Sequence, residues 1–60
     1  MCLATVYKSS DDTVLCRNIS RIDVDGDKVT VKDILGDETV ITGSIVMVDL
    51  AKSIVKIKCD

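Results

Sequence analysis

Sixty residues are enough for one small domain, and a chain of this length buries only about 60% of the surface that it exposes when unfolded. Its net charge is −2, and its apolar share of 47% argues against disorder. The chain has no His, Phe, Trp or Pro, and Tyr7 is its one aromatic residue. The lack of His excludes catalysis by imidazole and zinc fingers that need a His ligand. The lack of aromatic residues disfavours a surface on which nucleic-acid bases stack.

The composition indicates an all-β fold. Nine Val, seven Ile and five Thr stand against two Ala, one Glu and no Gln, and β-branched residues favour strands. No linker or repeat divides the chain, so residues 1–60 are predicted to form a single domain. Because so small a core gives only marginal stability, we expect a covalent cross-link, a metal or a second subunit to add to it.

The first half of the chain predicts two strands. The first covers Cys2–Lys8 and is followed by a polar break at residues 9–12, which suits a solvated turn. The second covers Thr13–Val24, with a bend expected near Arg17-Asn18.

The dipeptide Asp25-Gly26 predicts a hairpin between the second strand and a third at Lys28–Ile34. A type I′ turn needs positive φ at both central residues, which Asp-Gly accommodates. In the third strand Val29 and Val31 alternate with polar residues. Residues 23–27 also resemble a calcium loop, but the glycine stands fourth instead of sixth, so the hairpin is favoured.

A turn at residues 35–37 leads to a fourth strand, Glu38–Leu50, which is apolar on both faces near its end. Gly43 is a natural bend, and a long strand bent at glycine closes a small five-stranded antiparallel barrel. An apolar face left over on this strand predicts self-association, and hence a homodimer. Simple alternation assigns the two faces to Ile45, Met47 and Asp49, and to Val46, Val48 and Leu50.

The fifth strand, Ser53–Cys59, brings basic residues near the end of the chain. Its Lys56 and Lys58 share one face, and lysines of the third strand could lie beside them. The group is either a weak phosphate-binding patch or the charge that protects an edge strand from pairing. Since the chain is acidic overall, nucleic acid is not expected as a partner. The lysines concerned are Lys28, Lys32, Lys52, Lys56 and Lys58.

Cys2 is the candidate metal ligand. Initiator methionine is usually removed before a small residue, which would leave a free amine beside the Cys2 thiol. The amine, the thiolate and the ionised amide of Leu3 would together favour square-planar Ni(II) or Cu(II). In a symmetric dimer, one thiolate from each chain suffices to share one ion. The alternative is that Cys2 is a small apolar residue at a strand start.

Cys16 and Cys59 are expected in the core as small hydrophobic residues. Three cysteines without C-x-x-C spacing do not predict a disulfide framework. With no secretory signal or apolar span visible, the chain is expected to be cytoplasmic and to have no membrane partner. No nucleophile is paired with a base, so an enzyme is not expected.

The opening Met-Cys-Leu-Ala-Thr-Val-Tyr, the later Val-Asp-Gly-Asp and the Val-Met-Val-Asp-Leu segment resemble the CooT family over essentially the whole chain. The resemblance implies a small barrel of Sm-like or SH3-like type, assembled as a homodimer. It also implies one Ni(II) per dimer, held by the cysteine that follows the initiator methionine, which is Cys2 here. The implied function is that of a nickel-binding, metallochaperone-like protein for maturation of a nickel enzyme such as carbon monoxide dehydrogenase. The alternative is a small Sm-like interaction module without a metal, with RNA as one candidate partner.

Overall fold

The structure is a computed structural model that describes residues 3–60. These residues form five strands and no helix, which confirms the all-β prediction. No segment of residues 3–60 is therefore a helix long and apolar enough to cross a membrane. Each predicted strand matches an observed one, with ends that differ by at most two residues. The strands are β1 (Ala4–Lys8), β2 (Val14–Asp25), β3 (Lys28–Asp33), β4 (Glu38–Asp49) and β5 (Ile54–Cys59).

The five strands pair in chain order and close into a ring. Each strand is antiparallel to the one before it, but the closing pair, β1 with β5, is parallel. The prediction of a wholly antiparallel arrangement is therefore wrong at this one pairing. The cause is parity: when direction alternates along an odd number of strands, the first and the last run the same way.

Bends in the two long strands allow each to pair with two neighbours. The first part of β2 pairs with β1 and the second part with β3, and between them Asn18 adopts a φ of 57°. Asparagine tolerates this left-handed conformation better than most residues. In β4 the change of partner falls at Gly43, which pairs with Cys59 of β5 immediately after Thr42 pairs with β3. Both predicted bends are confirmed.

The hairpin between β2 and β3 lies one residue further along the chain than predicted. Asp25 pairs with Lys28, so the two central residues are Gly26 and Asp27. Gly26 has a φ of 60°, and among residues 3–60 Asp27 is not one of those with positive φ. A turn with glycine first and positive φ only there corresponds to type II′ and not to the predicted type I′.

An irregularity in β4 changes which side chains share a face. Ile45 pairs with Ile57 and Val48 pairs with Val55, while the register shifts between Ile45 and Met47. The extra residue breaks the period of two, as a β-bulge does. Ile45 and Val48 therefore face the same side of the sheet, and the assignment of these two residues to opposite faces is wrong.

The interior of the ring is small and aliphatic. The predicted alternation in β3 is confirmed, because Val29 and Val31 are buried, and in β5 Val55 and Ile57 are buried in the same way. Cys16 and Cys59 are half-buried and pack against this core, so they lie at its margin and are not enclosed by it. The buried residues are Val6, Ile19, Val29, Val31, Val55 and Ile57.

The turn between β1 and β2 is polar and exposed, as predicted for residues 9–12. Within it, Asp11 Oδ1 accepts hydrogen bonds from the Thr13 hydroxyl at 2.6 Å and the Thr13 amide at 3.0 Å. These bonds, the hydroxyl first, lower the pKa of Asp11 below its ordinary value. Since a lowered carboxyl pKa stabilises the fold only while the group is ionised, this contribution is present near neutral pH and is lost in acid.

Candidate functional site

The start of β1 is fixed by pairing on both of its sides. Cys2, the predicted metal ligand, lies outside the described residues. Two positions further on, Ala4 pairs with Ile19 of β2, and Thr5 pairs with Ile54 of β5. The Thr5 amide also donates a hydrogen bond of 2.9 Å to the carbonyl of Ser53. The chain that follows Cys2 is therefore attached to two strands at once.

An open apolar groove of about 380 Å³ lies beside this strand start. Ala4 contributes to its wall, together with side chains from the second half of β2 and the end of β4. Leu50, directly after β4, is 84% exposed there. The residues that form its apolar wall, here called the groove, include Ala4, Ile22, Val24, Ile45, Val48 and Leu50.

The groove agrees in part with the apolar face predicted on the fourth strand. Val48 and Leu50 line it, but Val46 is exposed without lining it. The contribution of Ile22 and Val24 was missed. In the sequence Ile22 and Val24 alternate with Asp23 and Asp25, which indicates one apolar face. The alternation does not indicate that this end of β2 extends past the core.

The cysteines that the structure describes do not form a metal site. Cys16 and Cys59 are free thiols, each half-buried against the core. Within residues 3–60, no group of three or more His, Cys, Asp or Glu side chains is placed to hold a metal ion.

The sheet order separates the lysines of β3 from those of β5, and one lysine of β5 is ion-paired. β4 lies between β3 and β5, so Lys28 and Lys32 pair with Thr42 and Glu38 and not with the lysines of β5. The Lys56 ammonium lies 3.1 Å from Asp12 Oδ1. The edge-strand explanation is also wrong, because β5 has a neighbour on each side.

Comparison with known proteins identifies the family. A search of curated proteins gives no match. The model of the family described as "CO dehydrogenase accessory protein CooT" matches residues 1–58, a span that includes Cys2, all five strands except the last residue of β5, and every residue of the groove. The chain therefore belongs to the CooT family of carbon monoxide dehydrogenase accessory proteins.

Proposed function

We propose that this chain is a nickel-binding accessory protein that serves the maturation of a nickel enzyme such as carbon monoxide dehydrogenase. In this proposal Ni(II) is cargo, held by Cys2 from both subunits of a homodimer. The observation that carries the proposal is the family match, which extends over Cys2 and covers nearly the whole chain.

The proposed nickel ligand adjoins a strand that is held on two sides. Cys2 lies two residues before Ala4, where β1 begins to pair with β2 and β5. Thiolate and amide nitrogen donors must lose protons before they bind, and nickel affinity therefore falls as the pH falls. Release to an acceptor would follow from protonation or from competing ligands.

The other described residues serve as a scaffold in this proposal. The protein itself catalyses no reaction: it works in the cytoplasm, where thiols stay reduced, and hands the ion to a partner enzyme. The ring is proposed to be of Sm-like or SH3-like type. Cys16 and Cys59 pack on the core and take no part in binding.

The alternative function, RNA binding by an Sm-like module, has less support. Lysines on β3 and β5 are separated by β4, and Lys56 is paired with Asp12. We therefore do not expect RNA binding with the steep salt dependence of a phosphate-binding surface.

Nickel titration of the protein tests the proposal. We expect saturation at about half an equivalent of Ni(II) per chain, because two chains share one ion. Thiolate-to-nickel charge-transfer absorbance should rise in step with binding and saturate at the same ratio. Saturation at a whole equivalent per chain, or no uptake together with salt-sensitive binding of an RNA oligonucleotide, would contradict it.

A further inference from the structure

The first part of β4 has a strand neighbour on one side only. Residues 38–42 pair with β3 in a register without shifts. On the other side, β5 accompanies β4 only from the pair of Gly43 with Cys59 onward. Within residues 3–60, therefore, no strand pairs with residues 38–41 on that side, which is here called the open edge.

Two hydrogen bonds fix which residues of β4 turn their backbone groups toward β3. The Gly43 amide donates to the Asp27 carbonyl at 2.7 Å, and the Asp33 amide donates to the Asp37 carbonyl at 3.0 Å. In an antiparallel pair, residues that bond to the partner strand alternate with residues that do not. The odd-numbered residues from Asp37 to Gly43 therefore face β3 with their backbone groups.

The even-numbered residues turn their backbone groups toward the open edge. The Thr42 carbonyl agrees with this alternation, because it accepts a hydrogen bond of 3.2 Å from the Asp60 amide. Glu38 and Val40 each direct an N–H and a C=O group to the same side, where no strand within residues 3–60 pairs with them. Since an extended backbone offers donors and acceptors at the matching spacing, the ligand that suits this edge is an added strand.

The open edge lacks the features that usually keep an exposed edge from pairing, such as lysine, proline or a bulge. Residues 39–42 are instead four consecutive β-branched residues in a regular register. Val40 is 60% exposed. An added strand would place a side chain beside Val40 on the same face, where an apolar β-branched residue packs well.

The charges along the open edge favour a foreign strand over a second copy of this chain. Asp37 and Glu38 stand at one end and Asp60 at the other, and all three are exposed. If two copies paired antiparallel about Val40, each Glu38 would approach the Thr42 and Asp60 end of the other copy, and the like charges would repel. The nearest lysines lie one strand back, on β3. A partner strand with basic residues on either side of an apolar one fits these charges.

We propose that the open edge is a docking site for an extended segment of another protein. The segment adds to the sheet as a strand beside residues 38–42 and carries basic residues on either side of an apolar β-branched one. None of the residues that form this site, 37–42 and 60, lines the groove. The docking site goes beyond the proposed nickel function and does not depend on it.

NMR of the isotope-labelled protein during titration with a short peptide tests the docking site. The probe is Lys-Thr-Val-Thr-Lys, acetylated and amidated at its ends, whose central valine would lie beside Val40. We expect the amide resonances of Glu38 and Val40 to shift and to saturate with a Kd of about 1 mM or tighter. Replacing both lysines of the peptide by glutamate should weaken binding several-fold, an effect that added salt reduces.

Changes that remove single classes of backbone hydrogen bond are the controls. The same peptide methylated on its backbone nitrogens cannot donate to the open edge in either orientation, and it should bind about ten-fold more weakly or worse. Val40→Pro removes only an N–H that points away from β3, where an edge strand tolerates proline. It should keep the circular dichroism spectrum of the wild type and weaken binding about ten-fold. Ile41→Pro removes an N–H that faces β3 and should instead destabilise the fold.

Docking by strand addition would be excluded by the absence of any shift up to about 10 mM peptide, or by equal binding of the methylated peptide. Wild-type affinity in Val40→Pro, or equal stability of Val40→Pro and Ile41→Pro, would exclude it as well. Shifts of Glu38 and Val40 on concentrating the protein alone would assign the open edge to a second copy. None of these readings involves nickel, so the docking site and the proposed function stand or fall separately.

Discussion

Replacing Cys2 by serine is expected to abolish nickel uptake. A thiol with an ordinary pKa of about 8.5 is readily deprotonated when a metal binds, whereas a serine hydroxyl stays neutral and is a poor ligand. Because both subunits lose their only proposed sulfur ligand together, affinity should fall by about a hundred-fold or more, and the charge-transfer absorbance should vanish. Isothermal titration with Ni(II), read beside the absorbance, measures both effects.

Cys16→Ser and Cys59→Ser are the matched controls. Both thiols are half-buried against the core, so these variants test whether nickel loss follows from removing any cysteine. We expect both to bind as the wild type does, with some loss of stability from exchanging a small apolar side chain for a polar one. Equal uptake by all three variants and the wild type would exclude Cys2 as the ligand.

Replacing Gly43 by alanine is expected to have the largest effect on folding. A Cβ at this position would overlap the carbonyl oxygen of Lys58, which belongs to the backbone of β5. β5 cannot easily move away from Gly43, because β1 pairs with its other side. Gly43 is also held in place, because its amide donates a hydrogen bond of 2.7 Å to the carbonyl of Asp27. The φ of 156° adds strain for any residue with a side chain.

We expect Gly43→Ala to lose roughly 3 kcal/mol or more of the free energy of unfolding, out of a total of roughly 3–9 kcal/mol for a domain of this length. Gly26→Ala is the control: its φ is 60°, but nothing lies within 4 Å of the added Cβ, so the cost is about 1 kcal/mol of backbone strain. Urea unfolding followed by circular dichroism compares the two. Equal losses would mean that the close contact at Gly43 relaxes without cost.

The sequence predicted those features of the fold that depend on local chemistry. The β-branched composition, the bend at Gly43 and the bend near Asn18 are properties of a few neighbouring residues. The exact turn at Gly26-Asp27 and the irregularity at Val46 depend instead on how two strands align over their whole length, which no short segment specifies. The parallel pairing of β1 with β5 follows from the odd number of strands in a closed ring. The sequence-based prediction treated every pair as antiparallel and therefore missed it.

The apolar residues of the groove were predicted in part, whereas the metal site at Cys2 stays a prediction, because Cys2 lies outside the described residues. Exposed apolar residues at the end of β4 predicted self-association, and Val48 and Leu50 do line the groove. The contribution of Ile22 and Val24 required the knowledge that β2 and β4 extend beyond the core at the end where β1 starts. These parts of β2 and β4 lie close together only because the five strands close into a ring. The alternation of residues within one strand does not predict that closeness.

The number of sulfur atoms bound to each nickel ion distinguishes a site shared by two subunits from a site within one chain. X-ray absorption at the nickel edge should be recorded on a variant that carries both Cys16→Ser and Cys59→Ser, so that Cys2 is the only cysteine in each chain. We expect about two sulfur ligands per nickel at half an equivalent of metal per chain, since one ion joins two subunits. A single sulfur per nickel, or none, would contradict it.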